Sequence, residues 1–197
     1  MSYELLAGCA GFAFAMAFTP GPNNIMLMTS GVNFGLRRTQ PHRIGVTLGV
    51  AFMTMIVGVG VGALIAANPL IYTVLKFGGA AYLLFLAWQI AASGAVEGVE
   101  SARPISALEA AAFQWVNPKA WIAVIGGVSA YAALAAFPLN VMVITALFAA
   151  TTLVSTFIWV VMGASLRRFI TNPAIARIFN AAMALLLVVS LFPILFD

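Results

Sequence analysis

Apolar runs long enough to cross a bilayer follow one another along almost the whole chain, at roughly 5–35, 44–67, 69–92, 105–131, 138–163 and 174–195. A hydrocarbon core of about 30 Å needs roughly 20 helical residues. With 63% hydrophobic and only 7% charged residues, against about 25% charged in ordinary soluble domains, the chain reads as an all-α integral membrane protein. Six transmembrane helices are expected, and the short connections leave no room for a soluble domain. The first run is long, about 45 Å if wholly helical at 1.5 Å per residue. A tilt or a break must absorb the excess.

Two runs are broken near their middles. The first break is Thr19-Pro20-Gly21-Pro22-Asn23-Asn24 and the second is Asn117-Pro118-Lys119. A proline inside a helix removes a backbone donor and clashes with the preceding turn. Unwound backbone at membrane depth is tolerated only where it packs in protein or lines a cavity. Each break falls in the first run of its half of the chain, and paired interruptions of this kind point to a transporter binding site.

Three spans per half place the second half upside down relative to the first, as two inverted three-helix repeats. Repeat one is expected over 1–92, a cytoplasmic linker over 93–106 and repeat two over 107–197, within a single polytopic domain. Phe77-Gly78-Gly79-Ala80-Ala81-Tyr82 in the third run loosely echoes Phe179-Asn180-Ala181-Ala182-Met183-Ala184 in the sixth.

The net charge of +4 is explained by topology rather than by nucleic acid. Arg37, Arg38, Arg43, Arg103, Arg167 and Arg168 fall in alternate connections, with Arg177 beside the last of them at the start of the sixth run, and positive residues mark the cytoplasmic face. Both termini are therefore expected on the periplasmic side. Glu97 and Glu100 in the linker read as a solvated acidic pair. His42, beside Arg43, reads as a solvated loop histidine. Cys9 is the only cysteine; Leu6-Ala7-Gly8-Cys9 looks like a lipoprotein box but lacks a proper preceding signal, so Cys9 is read as a packed small residue. Gly45 with Gly49, and Gly58 with Gly62, let backbones approach closely, either within one chain or in a homodimer. Tyr3, Tyr72, Trp88 and Tyr131 suit aromatic belts at the interfaces.

The candidate substrate-binding residues lie at the breaks: Thr19, Pro20, Gly21, Pro22, Asn23, Asn24, Gln114, Asn117, Pro118 and Lys119. Asn117 followed by Pro118 reads as an N-cap and first helical residue. Thr19 can cap one helix start, and Pro22 can begin another. Helix starts aimed at one place from opposite directions offer unpaired N–H groups and positive dipole ends to a carboxylate. Lys119 lies too deep for easy snorkelling, and charge at that depth is usually functional. It either binds the carboxylate or satisfies carbonyls released at the breaks. Asn23 and Asn24 suit a ligand bearing both an amino group and a carboxylate, or else cap the broken helix. Lys76, near a span start, can snorkel. Trp115 and Trp121 read as packing, and Ser155 and Thr156 as bonded to helix backbone. Glu4 and Glu109 fall near span ends, so no deep carboxylate offers itself for proton coupling. No cofactor or metal site is expected.

These residues indicate a secondary transporter of a small amino acid in the lipid bilayer. A non-transporting membrane assembly subunit would explain the hydrophobicity but not the paired breaks. A membrane-embedded enzyme lacks the necessary nucleophile–base pair, paired carboxylates or metal ligands.

The Thr19–Asn24 element, Gly35-Leu36-Arg37 and Asn117-Pro118-Lys119 resemble the LysE/RhtB family of small amino-acid exporters, along essentially the whole chain. Gly79-Ala80-Ala81-Tyr82 with Leu86-Ala87-Trp88, and Arg103-Pro104-Ile105-Ser106, are similar to the cysteine/O-acetylserine exporters within it. The resemblance implies inner-membrane efflux of neutral amino acids or derivatives such as cysteine/O-acetylserine or homoserine/threonine, driven by the proton gradient. The second run, Gly45-Val46-Thr47-Leu48-Gly49, lacks the acidic residue of some lysine- and arginine-exporting members, which argues against a cationic substrate.

Overall fold

The computed structural model describes residues 2–60, 69–92, 103–170 and 172–189. The expectations for Gly62, Glu97 and Glu100, and for the Lys76 and Tyr72 side chains, lie outside the described residues. Among those described there are eight α-helices and no strand. They are α1 (Tyr3–Phe18), α2 (Pro22–Arg38), α3 (Gln40–Gly58), α4 (Pro69–Ala92), α5 (Ala107–Phe113), α6 (Pro118–Ala130), α7 (Leu139–Leu166) and α8 (Pro173–Val189).

Helix starts follow from local chemistry. The Ser2 hydroxyl accepts from Leu5 N at 3.4 Å to open α1. Ser106 and Glu109 form a reciprocal capping box at the start of α5, satisfying two otherwise unpaired donors. Pro22, Pro41, Pro118 and Pro173 all stand in first turns, where a missing N–H costs nothing.

By length and composition α3 and the Leu139–Phe169 segment can each cross a membrane, and α1 with α2, bent by 54° at their junction, can cross as one broken span. Large apolar side chains project outward on several helices, among them Leu48, Ile122 and Ile178. Outward-facing large apolar side chains on so many helices suit a lipid surround better than water.

The two halves interlock crosswise. The α1–α2 pair packs on α7, the α5–α6 pair packs on α3, and α4 packs on α8. Glycines set the closest approaches. A Cβ on Gly163 would collide with the Met28 carbonyl, and one on Gly31 would come within 2.5 Å of the Val160 carbonyl, so α2 and α7 cross with backbones in contact. Likewise a Cβ on Gly45 would collide with Ala107, and one on Gly49 would lie 2.7 Å from Ala111 Cα. The Gly45/Gly49 face is thus used for packing within the chain.

Gly35 interrupts α2 with φ 72°, a conformation that side chains disfavour. Its carbonyl accepts from Thr39 Oγ1 at 2.7 Å, and a Cβ there would lie 3.1 Å from Arg167 Nη1. The first basic connection therefore lies against the Arg167 turn. Asn33, Phe34 and Arg103 line one cavity at that same end, so three basic connections converge on one end of the bundle. At the opposite end, Ser2 N donates to the Leu134 carbonyl at 3.4 Å.

His42 departs from the sequence expectation. It is fully buried in the first turn of α3, with Nδ1 3.1 Å from Ser30 Oγ. The neighbouring Arg43 is long enough to turn away, toward Gln40 and the Leu153 carbonyl; the imidazole points into the α2–α3 contact. Cys9 is fully buried in α1, as a packed small residue should be.

Candidate functional site

The first break is a change of helix rather than a loop. α1 stops at Phe18 and α2 restarts at Pro22 behind an extended Gly21. Thr19 does not cap a start, as the sequence led us to expect. It closes α1, donating from Oγ1 to the Ala15 carbonyl at 2.5 Å. Its hydroxyl reaches back one turn to the Ala15 carbonyl, which also accepts from Thr19 N at 3.0 Å, instead of forward past Pro20. The start of α2 has no side-chain cap, with Gly21 in that place.

Ending a helix leaves its last carbonyls without partners, and other elements supply them here. Asn24 Nδ2 donates to Ala17 O at 3.1 Å and Thr19 O at 2.9 Å. Ser155 Oγ, from α7, donates to Ala17 O at 2.7 Å. The Lys119 ammonium donates to Thr19 O, and lies 3.5 Å from Pro20 O.

The second break follows its sequence logic closely. α5 tightens into a 3-10 turn over Gln114–Val116, and Asn117 then caps α6 by accepting from Lys119 N at 3.2 Å. Gln114, fully buried, donates from Nε2 to Ala110 O at 2.8 Å. Trp121 Nε1 donates to the Trp115 backbone carbonyl at 2.9 Å, and the Trp115 indole packs edge-on against Trp121 and Phe52, so both indoles serve packing.

The breaks meet. Asn23 Nδ2 donates to Gln114 Oε1 at 2.8 Å, and Gln114 Nε2 donates back to Asn23 Oδ1 at 3.2 Å. Together with the lysine this makes two polar ties between residues about half the chain apart. Around them is a small cavity of about 60 Å³ whose wall includes Gly21, Asn23, Asn24, Asn117 and Lys119. Of the remaining candidates, Gln114 sits behind Asn23, Thr19 and Pro20 contribute carbonyls, and Pro22 and Pro118 set helix starts. At 1.5 Å per residue, α1 and α6 each run about 20–24 Å from the non-basic end to the breaks, so the cavity lies well inside the bundle.

One wall was not anticipated. Thr152, Ser155 and Thr156 of α7 face the same cavity, although Thr156 also donates to Leu153 O at 3.0 Å. Their spacing of three and four residues puts them on one helix face. A polar stripe inside the chain's longest apolar helix was the available signal.

A helical bundle with two helices broken around one shared cavity, and with outward apolar surface, has the architecture of a polytopic membrane protein. Residues 14–193 match the family described as LysE type translocator, and the chain belongs to that family. Cysteine/O-acetylserine efflux proteins of Escherichia coli (strain K12) and Shigella sonnei (strain Ss046) are each 35% identical to it over 120 residues, 60% of this chain and 61% of theirs. That of Klebsiella pneumoniae subsp. pneumoniae is 34% identical over 119 residues, with the same coverage. The chain thus matches about three fifths of the length of these curated relatives. No solved structure matches it.

Proposed function

We propose that the protein is a secondary exporter of small neutral amino acids or their derivatives, cysteine and O-acetylserine among them, across a bacterial inner membrane. The observation that carries this reading is the meeting of the two breaks: Asn23 with Gln114, and Lys119 with the Thr19 carbonyl, around one interior cavity. The names of the relatives support the substrate class. The proposed architecture is six spans in two inverted repeats, 1–92 and 107–197. Crosswise packing of corresponding elements is what such a pseudo-two-fold arrangement would produce.

In this mechanism the repeats rock against one another about the breaks. In α6, Pro118 has no N–H, Lys119 N donates to Asn117 Oδ1, and Ala120 N and Trp121 N donate to Asn117 O. The first-turn N–H groups offered to a ligand are therefore those of Asn23 and Asn24 in α2. They and Lys119, which has three donors, take the substrate carboxylate. Asn23 and Asn24 offer side-chain oxygens to its ammonium group. Thr152 and Ser155 complete the wall. The driving force is proposed to be the proton gradient, and the basic end is proposed to be cytoplasmic with both termini periplasmic.

Efflux from loaded vesicles under clamped pH gradients tests the activity and its coupling together. The proposal requires flux above that of protein-free vesicles, accelerated by the gradient. Flux no higher than that of protein-free vesicles would refute it. A reporter fused at Ser101 should read cytoplasmic, and a periplasmic reading would reverse the orientation.

A further inference from the structure

Along the same bundle lies a second cavity, and it is the larger. It encloses about 350 Å³ between the C-terminal half of α2, the end of α4 and the segment entering α5. Small-molecule sites usually occupy about 300–1,000 Å³. The 60 Å³ between the breaks has room for a few waters, since one water needs only about 10–15 Å³ of such space. In this conformation an amino acid fits the larger cavity and not the smaller.

The two spaces are neighbours. Met26 lines the larger one and Asn23, one turn earlier in α2, lines the smaller. Met26 and Phe113 belong to one packed apolar cluster, and Gln114, next to Phe113, holds Asn23. These four residues form the partition, so the larger cavity is a vestibule opening from the basic end.

Its wall carries charge of both signs. Arg103 grips Glu109 with both arms, Nη2 to Oε1 at 2.5 Å and Nη1 to Oε2 at 2.8 Å. It is the one ion pair among the described residues. Ser30, Asn33 and Tyr82 add polar groups to the same wall. The pair is solvated, with side chains 67% and 38% exposed. Exposed pairs are weak and cheaply exchanged. A planar guanidinium that holds one carboxylate bidentately can hold another in the same way, which frees Glu109 for an ammonium group. Glu109 also accepts from Ser106 N at 2.8 Å in its capping box, so its role is partly structural. Arg103 has no such second duty.

We propose that the vestibule is a loading site for a zwitterionic amino acid, with Arg103 receiving the carboxylate and Glu109 the ammonium before the partition opens. This rests on the exporter reading above and adds a second site to it.

Ala92 lines the vestibule and can be replaced by cysteine, with the parent carrying only buried Cys9 as the blank. The rate of labelling of Ala92→Cys by a charged maleimide in purified protein is measured with O-acetyl-L-serine, L-threonine or L-threoninamide present. The two zwitterions should slow labelling about threefold or more at saturating concentration, and the amide, which lacks the carboxylate, should not. Adding Arg103→Gln should abolish protection, while Arg103→Lys, which keeps the charge but loses the fork, should retain part of it. Labelling unaffected by the zwitterions, equal protection by the amide, or protection that survives Arg103→Gln would each overturn the site. Protection without flux in vesicles would refute the exporter reading and leave the site standing. Flux without protection would do the reverse.

Discussion

Asn23 and Gln114 exchange two side-chain hydrogen bonds, at 2.8 and 3.2 Å, across 91 residues of chain. Each amide satisfies the other where water is scarce, and each belongs to a different broken helix. Removing one partner strands a buried amide, whereas removing both does not. Asn23→Ala and Gln114→Ala should therefore each lower thermal stability in detergent by an amount equivalent to about 1–3 kcal/mol. The double variant should lose less than the sum, with a coupling of about 0.5–3 kcal/mol. Additive losses would mean that the pair is not a unit.

Gly21 tests the same junction from the other side. A Cβ on Gly21 would lie 2.8 Å from Lys119 Cδ and 3.2 Å from its Nζ. The lysine is long and can move aside, so Gly21→Ala should fold and insert normally. Flux should nevertheless fall about tenfold or more, because a small displacement of a positioning group is costly to a transfer step. Full flux from this variant would show that the lysine position is immaterial.

The α2–α7 crossing has no such slack. The collisions of a Cβ on Gly163 or Gly31 are with backbone, and backbone cannot rotate out of the way. Gly163→Ala should cost about 1–3 kcal/mol or more, seen as a lowered melting point and reduced monodisperse yield. Gly78, whose Cβ would meet nothing within 4 Å, is the control, and Gly78→Ala should be tolerated.

His42 links α2 to α3 through Ser30, while its Nε2 is buried without a partner among the described residues. His42→Asn keeps a polar atom near the Nδ1 position and removes the orphan, so its stability should match or exceed the parent's. His42→Leu strands the serine and should be less stable by about 1 kcal/mol. The order of the two melting temperatures decides this.

The breaks were legible because proline punctuates a helix wherever it stands. Pro22 and Pro118 start helices in the structure as the rules of helix ends require, and Asn117 caps as expected. What those ends bind was not legible. The contact of Lys119 with Thr19 spans 100 residues, and no local pattern encodes such a distance. Sequence left Lys119 divided between ligand group and carbonyl clamp. The structure shows the clamp, and the ligand role remains the proposal. Thr19 was misjudged because its own helix offered a nearer acceptor, and His42 because charged neighbours disguised a buried face. Thr152 escaped notice inside the chain's longest apolar helix, where one polar stripe is easily read as packing.

The most direct measurement is amino-acid efflux from loaded proteoliposomes containing Lys119→Ala at the same folded, inserted amount as the parent. If the meeting of the breaks is the transport site, flux of O-acetyl-L-serine by the variant falls to the level of protein-free vesicles while its insertion and helix content are unchanged. Efflux by Lys119→Ala at the parent's rate would contradict the account.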